Sequence, residues 1–355
     1  MNLSPGKVAL LGSGETSLAG GRIFESLARE YDDPLKIALL ETPAGFELNS
    51  AQVAGRVGDF LRTRLQNFNP VIHVIPARKK GTAFSPDDPM ILSPLADADI
   101  IFMGPGSPTY AVRHLQESLA WDLIRARHRL GSSLVFASAA TISIGAYVLP
   151  VYEIFKAGED VFSIKGLDLF SDFNLYLSFV PHWNNGDGGG DLDTSRCFIG
   201  MERFDQWCHS LPKENLTIGL DEHTGLLLDF QACKCTVNGI SSVTLLRDCS
   251  QEIYPAGQEF PLSHLGEFSL PDSVEEGLDP QVSKIISTLE PVAQPQVISE
   301  RVKELHQARE KARQENQWEQ ADDLRAQIDS LGWTIQDTAE GSRVIRKGEE
   351  KRLDA

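Results

Sequence analysis

The stretch Gly131-Ser-Ser-Leu-Val-Phe-Ala-Ser138-Ala-Ala140 decides how the rest of the chain is read. Leu134, Val135 and Phe136 form a short apolar run with a β-branched member, the composition of a buried strand. Small residues follow at once, Ala137 to Ala140, and Thr141-Ile-Ser-Ile-Gly145 then offers the start of a helix. A serine on a sharp strand-to-helix turn between small side chains is how α/β hydrolases expose a nucleophile. The turn lifts the hydroxyl clear of the sheet and leaves the next residue's N–H free to bind an oxyanion. The usual form of that turn is G-x-S-x-G, whereas Phe136 and Ala140 occupy both glycine positions here. The same residues therefore also fit a serine buried in an ordinary core turn.

Working outward, Lys7 to Leu11, Lys36 to Leu40, Val71 to Ile75 and Asp99 to Met103 are further apolar runs of strand length. Helical patterns over Gly21–Tyr31 and about Ser50–Phe68 separate them. Strands alternating with helices predict βαβ units, hence a three-layer, flavodoxin-like α/β fold with a parallel sheet. Ligands in such sheets sit beyond the C-terminal strand ends. Those ends carry Gly12–Glu15, Thr42, Gly104–Gly106 and Ser138. Pro105 has no N–H, so Gly106 is the oxyanion donor to pair with Ala139; the alternative is a tight turn before a helix over Tyr110–Leu119. The Gly12-Ser-Gly14 turn lacks a third glycine and a P-loop lysine, so no nucleotide is expected.

Downstream, Asn174 to Val180 reads as a strand leading to His182, a position suited to a general base. The loop Asn184 to Asp193 holds Asp187, Asp191 and Asp193, hard oxygens without calcium-loop spacing, so a solvated loop is expected and no metal. Arg113, Arg196 and Arg203 offer carboxylate recognition as an alternative to plain surface charge, and Arg196, with Asn184, is the candidate for substrate contact. Thr217 to Thr224 places Glu222 where it could orient His182, or simply lie in an acidic turn. Cys233–Val237 and Ser242–Leu246 complete a β-rich end, with Asn238-Gly239 as its turn signal.

The chain's 355 residues suit one large domain and a small one, and 41% hydrophobic with 23% charged residues is ordinary for a globular protein. A formal charge of −17 argues against a surface that coats nucleic acid, and no apolar run is long enough to span a bilayer. Five irregularly spaced cysteines without a CxxC pair predict reduced thiols in a cytoplasmic protein and no zinc or other cofactor.

The glycine loop Gly104–Thr109, the turn Ser138-Ala-Ala, His182, and Gly219-Leu-Asp221-Glu222-His223-Thr224 together resemble peptidase family S51, over about residues 6–260. That family includes cyanophycinase and the aspartyl dipeptidase peptidase E, within the class I glutamine amidotransferase-like superfamily. The resemblance implies Ser138 as nucleophile, His182 as base and Glu222 as the third member of a serine triad. Glutamine amidotransferases themselves use cysteine at the turn, and none of the five cysteines lies near Ser138. Cyanophycinase's arginine-rich helix is replaced by Asn184 to Thr194, so cyanophycin is not the expected substrate. The expected function is hydrolysis of an amide bond in a small peptide, aspartyl peptides included. The alternative is a ligand-binding pseudoenzyme in which Phe136 and Ala140 twist the turn and bury the hydroxyl. A homodimer is compatible with either reading; a membrane partner is not.

Residues 1–270 thus read as the catalytic domain and 271–298 as a linker, rich in proline, with a short helix at Gln281–Leu289. In 299–347, Val302, Leu305, Ala308 and Ala312 sit at helical spacing, Asn316 and Glu319 form a capping box, and Trp318, Ala321, Leu324, Ile328 and Leu331 make a second apolar face ending at Gly332. Two alternating runs around Glu340-Gly341 read as a hairpin, and 348–355 as a charged tail. This segment resembles the C-terminal module of cysteinyl-tRNA synthetases, over about Arg301 to Arg346. The resemblance implies that Arg313, Trp318 and Asp322 read tRNA, the aromatic by stacking and the charged pair on base edges. The alternative is a core tryptophan in a protein-contact module. The HIGH and KMSKS signatures of a synthetase are missing, so the chain is not expected to charge tRNA.

Overall fold

Five apolar runs lie parallel in the order β3-β2-β4-β5-β1 in the computed structural model: β1 (Val8–Leu11), β2 (Lys36–Leu40), β3 (Val71–Ile75), β4 (Ile100–Met103) and β5 (Ser133–Ala137). The structure describes residues 3–247, 250–279, 282, 284, 285, 300–315, 317–330, 333–338 and 341–346. Period-two alternation sends Ala9, Leu11, Leu39, Phe102 and Val135 to one face of this sheet. Helices α1 (Leu18–Ala28) and α2 (Ser50–Arg64) cover that face with Phe24, Leu27, Val57 and Leu61. The opposite face presents Leu10, Leu40, Met103, Leu134 and Phe136. Beyond the short α3 (Pro89–Leu92), helices α4 (Pro108–Leu115) and α5 (Leu119–Arg129) pack there through Val112, Leu115, Trp121 and Ile124. The expected three layers are present.

Three features differ from the sequence reading. The sheet continues past β1 with antiparallel β10 (Thr224–Asp229), β11 (Lys234–Gly239) and β14 (Glu259–Pro261). A second sheet, ordered β13-β12-β9-β8, joins β8 (Leu177–Val180), β9 (Leu216–Leu220), β12 (Ser242–Arg247) and β13 (Ser250–Pro255). Its Phe179 and Ile218 share the α4–α5 core. The helix expected over Tyr110–Leu119 is two helices. Glu117 takes a left-handed conformation at φ 54°, and Ser118 Oγ then caps α5 by accepting from Trp121 N at 3.2 Å. Between the two sheets' strands run α6 (Ala139–Ser143), the short pair β6 (Tyr147–Val148) and β7 (Ile164–Lys165), α7 (Val151–Phe155) and α8 (Gly200–His209).

The segment from Pro271, expected to open a linker, packs onto the large unit as far as Asp279. Arg129 Nη1 donates to the carbonyls of Val274 at 2.8 Å and Glu276 at 2.6 Å, and Asp279 N donates to Asp122 Oδ2 at 3.1 Å. Val274 is buried. Most of the helix expected at Gln281–Leu289 lies outside the described residues, as do Asn316 of the capping box, Gly332 and residues 348–355.

Internal packing divides the chain into two compact units, 1–294 and 295–355. In the second, α9 (Glu300–Gln314) and α10 (Trp318–Ser330) pair, and a hairpin of β15 (Trp333–Thr338) and β16 (Gly341–Arg346) follows. Val302, Leu305, Ile328 and Ile335 form its core. Among the described residues, no helix is long and apolar enough to cross a membrane.

Candidate active site

Four strand ends converge on one place. At the end of β1, Gly12 donates its N–H to Thr224 O at 2.9 Å and its carbonyl accepts from His182 N at 3.2 Å. A Cβ on Gly12 would lie 2.2 Å from Asp221 O, so only glycine lets β1 approach the turn after β9 this closely. At the end of β5, Ser138 adopts φ 52° and ψ −115°, a strained strand-to-helix corner of the kind that nucleophile elbows use. Its N–H donates to Leu11 O at 3.2 Å, and Thr141 Oγ1 donates to the same carbonyl at 3.2 Å. His182 follows β8 at φ 48°, and the turn Asp221-Glu222-His223 follows β9. Non-glycine residues at such angles cost about 1–3 kcal/mol each, and such strain clusters at working sites.

The three side chains implied by the resemblance meet. Ser138 Oγ lies 3.1 Å from His182 Nε2, and His182 Nδ1 lies 2.9 Å from Glu222 Oε1. The imidazole is partly buried, with its ring 5.4 Å from that of Phe198. Burial pushes the Glu222 carboxyl up, but hydrogen bonds from Asn185 and His182 and the electrostatic attraction of His182 and His223 together outweigh it, holding the carboxyl below its ordinary range. A hydrogen on Nδ1 directed at this carboxylate leaves Nε2 as the acceptor facing the serine hydroxyl.

Phe136 lies within β5, not in the turn. It is fully buried in the sheet, paired with Leu10 and Met103, while Ala140 N donates to Gly104 O at 3.3 Å. Ala139 is the first residue of α6, so its N–H has no acceptor within the helix. Gly106 adopts φ 147° and is seated against Pro43: an added Cβ would lie 1.9 Å from Pro43 O, and Ser107 N donates to that oxygen at 2.8 Å. The same loop meets the elbow through the Gly104 carbonyl.

The structure gives the two substrate-contact candidates partners within the chain. Asn184 Oδ1 accepts from Glu222 N at 2.8 Å, so it braces the acidic turn. Arg196 lies over the Trp183 ring at 3.9 Å and donates to Trp183 O at 2.8 Å, a packing role that its isolated charge did not reveal. Arg113 and Arg203 are exposed. Asp193 accepts from Ser195 N and Met201 N, so it shapes the turn into α8. Among the described residues no group of three His, Cys, Asp or Glu could hold a metal ion. Cys197 is buried beside the triad, and burial, with the Glu222 charge, pushes its thiol up to about 12.

Two residues were not singled out by sequence. Asn185 is 4% exposed and donates from Nδ2 to Glu222 Oε1 at 3.0 Å. Asp221, the neighbour of Glu222, accepts instead from Ser241 Oγ and Ser242 Oγ at 2.6 and 2.7 Å and locks the turn. The Asp-Glu dipeptide thus splits its work between structure and site.

In the small unit, Trp318 opens α10 and is 57% exposed, with Asp322 exposed one turn later and Arg313 half-buried near the end of α9. Trp318 is therefore not a core residue.

Comparison with known proteins separates the two units in the same way. Residues 296–344 match the family model of the cysteinyl-tRNA ligase anticodon binding domain. A solved peptidase from an acI-B1 Actinobacterium is similar at 20% identity and a TM-score of 0.59, covering 74% of this chain and 98% of that one. A putative peptidase E from Listeria monocytogenes EGD-e aligns at 13% identity and a TM-score of 0.42, over 72% of this chain and 100% of that one. No curated protein matches the sequence. The large unit has the α/β fold of the actinobacterial peptidase, and the small unit is similar to an anticodon-binding domain.

Proposed function

We propose that the large unit is a serine-triad hydrolase acting on an amide bond of a small peptide, aspartyl peptides among them. The observation that carries this is the unbroken relay from Ser138 Oγ through His182 to Glu222, with the serine on a strained strand-to-helix corner. Ser138 Oγ attacks the carbonyl carbon while His182 Nε2 takes its proton, and Glu222 stabilises the resulting imidazolium. The tetrahedral oxyanion is met by the N–H of Ala139, with Gly106 as second donor. His182 returns the proton to the leaving amine, and water repeats the sequence on the acyl-enzyme. The seating of Phe136 inside β5, with Ser138 Oγ 3.1 Å from His182 Nε2, supports turnover over a ligand-binding pseudoenzyme. The test is covalent labelling by a fluorophosphonate followed by mapping of the modified peptide. Labelling is expected in the native chain and in Ser143→Ala, whose hydroxyl is buried and donates to Ala140 O, but not in Ser138→Ala. A folded native chain that no serine-directed probe modifies rules the reading out.

The small unit has a second role in this proposal, recognition of tRNA by Trp318 with Arg313 and Asp322. The support is the family match over 296–344 and the exposed indole. Stacking of one base on an aromatic is worth about 1–3 kcal/mol. Trp318→Ala in the full chain should therefore weaken tRNA retention at low salt by roughly five- to a hundredfold. Equal retention by the native chain and Trp318→Ala in a filter-binding titration removes this role.

A further inference from the structure

We infer that Asn185 is a positioning residue of the same site, holding the Glu222 carboxylate aimed at His182; this rests on the serine-hydrolase reading. The orientation of its amide is fixed independently of the triad. Asn185 Oδ1 accepts from Asp187 N at 3.2 Å, which leaves Nδ2 as the end that donates. Nδ2 donates to Glu222 Oε1 at 3.0 Å, the same oxygen that lies 2.9 Å from His182 Nδ1, and to Asp187 Oδ2 at 3.2 Å. One carboxylate oxygen thus receives two N–H groups from one loop. The loop itself is anchored: Asn185 N donates to His182 O at 3.1 Å, and Asn184 Oδ1 accepts from Glu222 N at 2.8 Å. The adjacent asparagines grip Glu222 by its backbone and by its carboxylate.

The chemistry requires such a grip. A carboxylate held by one imidazole alone can swing to water, and the imidazole then loses its tautomer and its aim. A neutral amide donor removes that freedom without adding a charge that would compete with the imidazolium formed during attack. An aspartate at this position could not donate while ionised and would repel Glu222. Asn185 is also 4% exposed, so water does not replace its N–H readily. The other charged or titratable groups facing Glu222 are His182, His223, Cys197 and, through the amide, Asp187.

The rate of fluorophosphonate labelling of Ser138 in the full chain, followed against pH, tests the inference with a readout that packing alone does not move. Asn185→Ala should label about tenfold to a hundredfold more slowly at neutral pH, the loss expected for one hydrogen bond to a charged group. Asn185→Asp is nearly isosteric. Above the range where its new carboxyl ionises it should label at least as slowly as Asn185→Ala. As pH falls and that carboxyl gains a proton it can donate to Glu222 again, so the rate ratio of Asn185→Asp to Asn185→Ala should rise. Native-like labelling by a folded Asn185→Ala overturns the inference, as does a ratio that stays flat with pH. Should Asn185→Ala not fold, Asn185→Asp against the native chain decides by the same pH trend. Failure of the native chain to label sinks the serine-hydrolase reading itself, a distinct result.

Discussion

Replacing His182 with alanine is expected to lower turnover of a cleavable peptide by roughly four to six orders of magnitude, the loss seen when the base of a serine triad is removed. His182 is the only side chain among the described residues that joins the two other members, at 3.1 Å to Ser138 Oγ and 2.9 Å to Glu222 Oε1. Without it the hydroxyl keeps its proton, and only oxyanion binding and substrate positioning remain. The backbone at this position is left-handed, at φ 48°, which alanine tolerates less well than asparagine. His182→Asn is therefore the matched variant: it preserves the corner, lacks an equivalent base, and should fall to the same floor. Glu222→Gln should fall less far than His182→Ala, since the base survives with a weaker partner. Steady-state rates on an aspartyl dipeptide panel, with thermal melts to establish folding, give the comparison. Activity of either histidine variant within tenfold of the native chain would remove His182 from the mechanism.

The parallel half of the sheet was legible because each strand is a short apolar run, and β1, β4 and β5 are followed at once by glycine or serine, a local signal. The second sheet was not. β8 pairs with β9 and β9 with β12 across wide sequence gaps, and nothing in the alternation of Thr217–Leu220 or Ser242–Leu246 says which neighbour each strand takes. The same limit explains the antiparallel extension through β10, whose Leu226 and Leu228 would suit either sheet.

At the site, Ser138, His182 and Glu222 could be found because each stands at the end of a strand. Asn185 could not: in Asn184-Asn185-Gly186-Asp187 it reads as one more turn residue, and its burial depends on where Glu222 arrives from β9. The partners of Arg196 were hidden for a similar reason. A lone arginine after an acidic loop suggests a free charge, whereas Trp183, thirteen residues earlier, supplies both a ring and a carbonyl to hold it. In the small unit the spacing of Trp318, Ala321, Leu324 and Ile328 suggested one apolar face. Ala321 and Ile328 are buried, but Trp318, at the first helical position, stays outside.

The large unit's stability should depend on an ion cluster that has no part in the chemistry, and Asp172→Ala is the variant that exposes it. Asp172 is 6% exposed at the level of its side chain, and two arginines of α5 converge on it. Arg125 donates from Nε to Oδ2 at 3.0 Å, and Arg129 Nη2 lies 2.8 Å from Oδ2 with its own side chain 1% exposed. Deleting the carboxylate leaves Arg125 with Asp122 at 3.2 Å and the Gly277 carbonyl, whereas the hydrogen bonds left to Arg129 run to the neutral carbonyls of Val274 and Glu276, with the Glu276 charge a weaker attraction. A buried guanidinium that loses its contacting carboxylate is the costly case: breaking one partner of a buried pair typically loses about 3–5 kcal/mol. The exposed pair of Arg62 and Asp59, one turn apart on α2, is the internal control. Asp59→Ala should cost under about 0.5 kcal/mol, because solvent screens that pair already. Urea unfolding of the full chain, compared at equal denaturant slope, separates the two. A loss below about 1 kcal/mol for Asp172→Ala would mean that water reaches Arg129, and that the segment from Pro271 to Asp279 is not held by this cluster.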